Sequence, residues 1–298
     1  MDPEAIAGPR TGESAAAAAL AAATGRLARA AIESARLDAE LLMAAAAHTS
    51  RAAVIIGAAE IDATVLERFE RMVARREARE PLAYIVGHRE FFSLEFEVCP
   101  GLLVPRPETE RLVETALDFL NGRLSATILD IGTGSGAIAI AIAKNAPAVR
   151  IVALDISKVS LEVAARNARR HRCADRITFL HGDCFAALDE ARYGSPFDLI
   201  VSNPPYIAEA EFATLAPEVR DFEPRIALAG GRDGMGFYRR IAAGLSRWLR
   251  RDGEVILEVG AGQADAVETL MRAVGCMASV RVHDLAGLER VVRARYAP

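Results

Sequence analysis

The sequence predicts an α/β protein: a seven-stranded, mostly parallel sheet covered on both faces, preceded by a bundle of helices. Three observations carry that expectation. From Ala126 onward, short apolar runs of strand character alternate with helical periods. Before about Glu80 the apolar spacing is helical throughout. Between Ile85 and Val104 the period drops to two.

The helical part opens with an alanine-rich segment that Thr11 or Ser14 can cap, its apolar face carrying Leu20, Leu27 and Ile32. Leu37 to Ala47 makes a second helix. In the last one, Val65, Leu66, Phe69, Met72 and Val73 keep helical spacing, with Glu67, Arg68, Glu70 and Arg71 outward. Such stripes are packing surfaces first. The two-residue period through Phe91, Phe92, Leu94, Phe96 and Val98 then predicts a β-hairpin connector. A proline-stiffened turn, Val104 to Glu110, opens a helix that Gly122 closes. Strands follow at 127–131, 150–155, 177–181, 198–202, 254–259, 279–284 and 291–296. Helices are expected at 137–144, 160–171, 237–249 and 264–274. The connection from Pro204 to about Gly236 is exceptionally long, and it leaves the end of a strand, where function concentrates.

Composition excludes several classes. At 298 residues, 52% hydrophobic and 26% charged, the chain is long enough for two domains with a substantial core. A net charge of −4 gives no general polyanion-binding signal. Lysine occurs only at 144 and 158, so 34 of the 36 basic residues are arginine, a bias of the whole composition more than of a site. Cys99, Cys173, Cys184 and Cys276 are scattered without metal-ligand spacing, so no metal and a reducing cytoplasm are expected. No stretch approaches a membrane span, and the acidic start does not suit a targeting segment.

Ile128 to Ala137 reads as a strand, a glycine turn (Gly132, Thr133, Gly134, Ser135, Gly136) and a helix start. Asp155 ends the next strand, where it can reach ribose hydroxyls. This much also fits a dinucleotide site, so a nicotinamide enzyme stays open. Two details favour S-adenosylmethionine. Asp130, just under the loop, places a carboxylate where a methionine ammonium could be paired, whereas a pyrophosphate would be repelled. Asp183 and Cys184 end the third strand in an acidic turn suited to an adenine edge.

Asn203-Pro204-Pro205-Tyr206 supplies the chemistry. Two prolines cannot continue a central strand, so Asn203 sits at a strand's carboxyl end, on the ligand edge of the sheet. A planar nitrogen conjugated to a carbonyl is a poor nucleophile because its lone pair is delocalised. A site assists by accepting both N–H bonds: the Asn203 oxygen takes one, and a backbone carbonyl fixed by the prolines, assigned to Pro204, takes the other. The Tyr206 ring can stack on the planar group and exclude water.

With these residues in place, the chain resembles the HemK/PrmC family of release-factor glutamine methyltransferases. The resemblance rests on Pro81 with Tyr84 and Gly87, Pro105 to Glu110, Gly132 to Gly136, Asp155, Asn203 to Tyr206, Val219 to Pro224, Gly230 to Gly234 and Leu288 to Val291. It implies a helical domain at 1–84 that docks the release factor, a hairpin connector at 85–104 and a Rossmann-like class I methyltransferase domain at 105–298. It implies N5-methylation of the glutamine in the Gly-Gly-Gln motif of class-1 peptide chain release factors. Gly132 to Gly136, Asp155 and Asn203 would hold S-adenosylmethionine, while Asn203, Pro204, Pro205 and Tyr206 would hold the glutamine amide. The partner is then a protein, with no nucleic acid or membrane involved, and the enzyme a cytoplasmic monomer. The alternative is an amino-methyltransferase acting on adenine or cytosine of nucleic acid, which shares Asn-Pro-Pro-Tyr but needs a basic, aromatic recognition surface. A non-catalytic helical adaptor fits the intact motif set least.

Overall fold

A computed structural model of the chain describes residues 11–189 and 196–297. They form two compact units: residues 11–87 with Pro217–Phe222, and residues 88–189 and 196–216 with residues 223–297.

The first unit is helical: α1 (Thr11–Arg29), α2 (Ala35–Ala46), α3 (Arg51–Ile55), α4 (Ala63–Glu77) and α5 (Leu82–Val86). The capping expected of Thr11 or Ser14 falls on side chains outside the described residues. Ser50 and Asp62 cap α3 and α4 by accepting from Ala53 N (3.1 Å) and Val65 N (2.8 Å). Ile32 lies beyond α1, because Ala31 turns left-handed (φ 56°) and ends the helix. Ile32 is buried all the same, beside Leu27, Leu42, Met43, Phe69 and Val73. One buried charge organises the polar side. Arg76 donates to Asp38 (2.7 Å), to the Glu80 carbonyl (3.1 Å) and to Glu218 (3.0 Å), which also accepts from Arg79 at 2.6 Å. Through Glu218, the short helix Pro217–Phe222 of the long connection belongs to this unit.

The second unit begins with a hairpin, β1 (His88–Phe91) and β2 (Leu94–Glu97). The two-residue period starts here and not at Ile85, which sits in α5. Phe92 and Ser93 both take positive φ (52° and 58°), the demand of a two-residue turn that normally selects glycine or asparagine. Two carboxylates stabilise it instead: Glu110 accepts from Phe92 N (2.8 Å) and Glu90 from Ser93 N (2.6 Å).

A seven-stranded sheet follows: β3 (Ala126–Ile131), β4 (Val149–Asp155), β5 (Ile177–His181), β6 (Phe197–Ser202), β7 (Leu249–Glu258), β8 (Cys276–His283) and β9 (Glu289–Tyr296). Its order is β5-β4-β3-β6-β7-β9-β8, parallel except for β9, which runs against both neighbours. Helices α6 (Glu110–Leu120), α7 (Ala137–Asn145) and α8 (Lys158–Arg170) intervene, with further helices at Gly236–Trp248 and Ala264–Ala273. Apolar clusters lie on both faces of the sheet, which is why β6 is buried at every position. This is the class I methyltransferase fold. Strand order reverses at β3, where Asp130 stands in register with Val201 of β6, so the crevice opens above these two strands.

Candidate active site

The glycine loop laps over the end of β4: Gly132 N and Thr133 N both donate to the Leu154 carbonyl, at 2.9 and 3.0 Å. Gly132, Gly134 and Gly136 take φ of 75°, 57° and 84°. Their roles separate once a Cβ is imagined on each. At Gly132 and Gly134 it would meet nothing within 4 Å, so the backbone there faces open space. At Gly136 it would lie 2.9 Å from Ile140 Cδ1 and 3.1 Å from Ala164 Cβ, so that glycine serves packing between α7 and α8.

Two carboxylates fix the loop. Asp155 accepts from Gly134 N (2.9 Å) with one oxygen and from Ser157 N (2.8 Å) with the other. Burial raises its pKa, and these backbone bonds oppose the rise. Asp130 is fully buried and accepts from the Thr133 hydroxyl at 2.6 Å. Burial pushes it up to about 7, against the Thr133 hydrogen bond and with help from the Asp155 charge.

A cavity of about 330 Å³ opens at the carboxyl ends of β3, β4 and β6. Of the residues singled out from sequence, Gly132 to Ser135, Asp155, Asp183, Cys184 and Asn203 to Pro205 line it. Asp130, Gly136 and Tyr206 do not. Asp183 is paired with Arg240 at 2.6 Å. Cys184 is buried with a left-handed backbone (φ 52°), and burial pushes its thiol up. Tyr206 packs against the apolar cluster of β7, its carbonyl held by Gln263 Nε2 at 2.9 Å. Burial lifts its hydroxyl to about 12.

Asn203 is held by a residue that sequence reasoning left without a role. Its Nδ2 donates to the Thr109 hydroxyl oxygen at 3.1 Å. Nearby, the carboxyl of Glu258 is fully buried at the end of β7, and burial pushes it up to about 7. Arg106, on the cavity wall, grips both oxygens of Glu223 (2.6 and 2.7 Å). Asn167 of α8 is buried and bonds Glu97 N and O (2.8 and 3.1 Å) and the Ser135 carbonyl (2.9 Å), joining hairpin to glycine loop. For Glu258 a signal existed: a lone acid closing the apolar run Val255 to Leu257 at the ligand edge. Among the described residues, no three His, Cys, Asp or Glu side chains are placed to hold a metal, and no helix is long and apolar enough to cross a membrane.

Two family models match the chain: the PrmC N-terminal domain over residues 18–87 and the methyltransferase small domain over residues 110–218. The release factor glutamine methyltransferase of Burkholderia pseudomallei (strain K96243) is 45% identical over 264 residues, 87% of this chain and 91% of its own length. That of Geobacter sulfurreducens is 41% identical over 272 residues, 91% of this chain and 93% of its own. Among solved structures, the hMettl16 catalytic domain in complex with MAT2A 3'UTR hairpin 6 aligns with a TM-score of 0.58 at 16% identity, covering 76% of this chain and 82% of that one. At that identity the likeness concerns the fold alone.

Proposed function

The chain belongs to the release factor glutamine methyltransferase family, and on that premise we propose that it methylates the side-chain amide nitrogen (N5) of the glutamine in the Gly-Gly-Gln motif of class-1 peptide chain release factors, with S-adenosylmethionine as donor. The observation that carries this reading is Asn203: its NH2 is engaged by Thr109, which leaves its oxygen as an acceptor in the cavity wall shared with the glycine loop.

The residues present fit the donor. Gly132 and Gly134 leave open space over the backbone, where a side chain would otherwise stand. Asp155 uses one lone pair of each oxygen on the loop amides and keeps the other for a pair of ribose hydroxyls. Asp130 is set back from the cavity, so its charge acts through Thr133 and the local field, with no direct ion pair. Asp183 and Cys184 line the wall in reach of an adenine edge. S-adenosylmethionine bound there would supply an electrophilic methyl carbon.

The protein's part is orientation. Asn203 Oδ1 and the Pro204 carbonyl accept the two N–H bonds of the glutamine amide, which favours a pyramidal nitrogen and aims its lone pair. These acceptors gain most as positive charge develops, so they stabilise the transition state more than the bound amide. A substrate without those N–H groups would leave them unpaired and be rejected. Tyr206 keeps its proton at neutral pH and packs behind the cavity wall, so it supports the Asn203–Pro205 turn instead of stacking on the amide or acting as base. No base is required before transfer, because the cationic product sheds its proton afterwards. A translation factor as substrate places the reaction in the cytoplasm, with a single copy of the chain sufficient for the site.

The test is incubation of the purified protein with S-adenosylmethionine and a folded class-1 release factor, followed by mass-spectrometric mapping of the modified peptide. Methyl transfer to the Gly-Gly-Gln glutamine is expected. Methylated DNA or RNA with an unmodified release factor would overturn the reading in favour of a nucleic-acid amino-methyltransferase.

A further inference from the structure

We infer that Gln263 and the glycine turn at residues 230–234 form a positioning clamp on the exit end of Asn203-Pro204-Pro205-Tyr206. The clamp holds the Pro204 carbonyl on its line to the substrate amide. The inference rests on Asn203 and Pro204 as the acceptors for the glutamine, and adds what keeps the second of them still. An asparagine oxygen can be aimed by a bond to its own NH2, as Thr109 does for Asn203. A backbone carbonyl can be aimed only by fixing the chain on both sides of it.

The prolines make that harder. Pro204 and Pro205 carry no N–H, so the middle of the stretch cannot be tied down by donors of its own. Its entry end is secured by the sheet, where Ser202 stands in register with Leu257 and its hydroxyl donates to the Ile131 carbonyl at 2.7 Å. At the exit end, Gln263, the residue before the helix Ala264–Ala273, folds its side chain back. Its Nε2 donates to the Tyr206 carbonyl at 2.9 Å, and its Oε1 accepts from Gly260 N at 3.1 Å. The fully buried Tyr238 shares its hydroxyl proton between the same Oε1 (3.3 Å) and the Glu258 carbonyl (2.9 Å). A peptide N–H only donates and a peptide carbonyl only accepts, so the Gln263 amide fits one way round. The next residue is tied as well. Ile207 N donates to the Leu228 carbonyl, and the Ile207 carbonyl accepts from Gly230 N, both at 2.9 Å.

Three glycines make room for this. A Cβ on Gly234 would lie 2.4 Å from Tyr206 O and 2.6 Å from Gln263 Nε2, on the bond itself. One on Gly230 would lie 2.8 Å from the Tyr206 carbonyl carbon, and one on Gly260 would lie 2.8 Å from Gln263 Oε1. Side chains at these positions would push Tyr206 or Gln263 out of place. The run Gly230-Gly231-Arg232-Asp233-Gly234 thereby acquires a purpose. Neither Gln263 nor these glycines line the cavity, so they reach the substrate only through the stretch they hold.

The experiment uses the full chain with saturating S-adenosylmethionine and a folded release factor. Gln263→Met keeps length and bulk but donates nothing. Its kcat should fall about 10- to 100-fold, since misplacing a reacting group by about 1 Å can cost that much. The KM for the release factor and the calorimetric affinity for S-adenosylmethionine should stay within about threefold of wild type, the pattern of a contact that matters only in the transition state. Gln263→Glu keeps the acceptor oxygen for Gly260 and replaces only the donor. A role confined to supporting the helix start would leave this variant at the wild-type rate. The clamp requires it to fall at least as far as Gln263→Met, because a carboxylate oxygen then faces the Tyr206 carbonyl. Gly234→Ala disturbs the same bond, so in the Gln263→Met background it should lower kcat by less than about threefold more. Either Gln263 variant at wild-type kcat, a Gln263→Met enzyme impaired in KM alone, or losses that multiply in the double variant overturn the clamp. Asn203→Ala at full rate would instead overturn the acceptor reading on which the clamp rests.

Discussion

The two sides of the cavity are built on opposite plans. The glycine-loop side is held by backbone: Gly132 N, Thr133 N and Gly134 N are all committed to the Leu154 carbonyl or to Asp155, within one strand-turn-helix and its neighbouring strand. The Asn203 side is held by a side chain from a distant part of the chain, the Thr109 hydroxyl of the turn before α6. A backbone-held site presents a fixed surface and tolerates changes in surrounding side chains. A side-chain-held site can be oriented atom by atom, as discrimination of one amide from other nitrogens requires, but each link in it is indispensable.

The largest effect should come from the side-chain-held half. Asn203→Ala removes an acceptor that strengthens in the transition state, and loss of a comparable contact costs about 10²–10³ in kcat. Cofactor affinity, measured by calorimetry, should stay within about threefold of wild type, since the loop bonds are untouched. A parallel fall in both would mean that the two halves are not separable.

Asp155→Ala is the counterpart on the other half. It removes charge-assisted hydrogen bonds, each worth about 1.5–3 kcal/mol, so cofactor affinity should fall about 10- to 100-fold. With the cofactor saturating, kcat should recover to near the wild-type value. Unchanged affinity would refute the ribose-binding role.

That contrast also accounts for what was legible in the sequence. Gly132 to Gly136, Asp155 and Asn203 to Tyr206 are contiguous runs or single residues at strand ends, and the order of strands suffices to bring them to one edge. The sheet was equally legible, because β3 to β9 each announce themselves by apolar runs. Thr109 was not, since its meaning arises only when the turn before α6 is laid against Asn203 at the end of β6. Asn167, midway along α8, would pass for a solvated helix residue until Glu97 and Ser135 are placed against it. The type of turn at Phe92-Ser93 was hidden too, because Glu110 and Glu90 supply what glycine would have signalled. The helix Pro217–Phe222 lies in a connection whose sequence gave no sign that Glu218 would meet Arg76.

Within the backbone-held half, the glycines should split by effect. Alanine at Gly134 carries only the strain of a left-handed residue, about 1–2 kcal/mol, with open space around it. Alanine at Gly136 adds a clash with Ile140 and Ala164, and overpacking of this kind costs typically about 1–3 kcal/mol more. Urea denaturation should therefore rank Gly136→Ala below Gly134→Ala in stability. Cofactor affinity should rank them the other way, because only Gly134 lies on the cavity wall. The same order in both measurements would remove the distinction.

The smallest effect tests whether Asp130 supports the loop from beneath. Its folded pKa, about 7, lies above its ordinary value of 3.8, so between these pH values the folded chain holds a proton that the unfolded chain has released. The stability contributed by that proton is present at low pH and lost as pH rises through about 7. Thr133 limits the loss by donating to the carboxylate, a bond worth about 1.5–3 kcal/mol to the charged form but only about 0.5–1.5 to the neutral one. Thr133→Val should thus be only slightly destabilised at pH 5, with the deficit growing by about 1 kcal/mol at pH 8. Denaturant midpoints of the two proteins across that range give the answer. A deficit independent of pH would show that Thr133 supports the loop without sensing the Asp130 charge, leaving the backbone bonds to Leu154 and Asp155 as its main restraint.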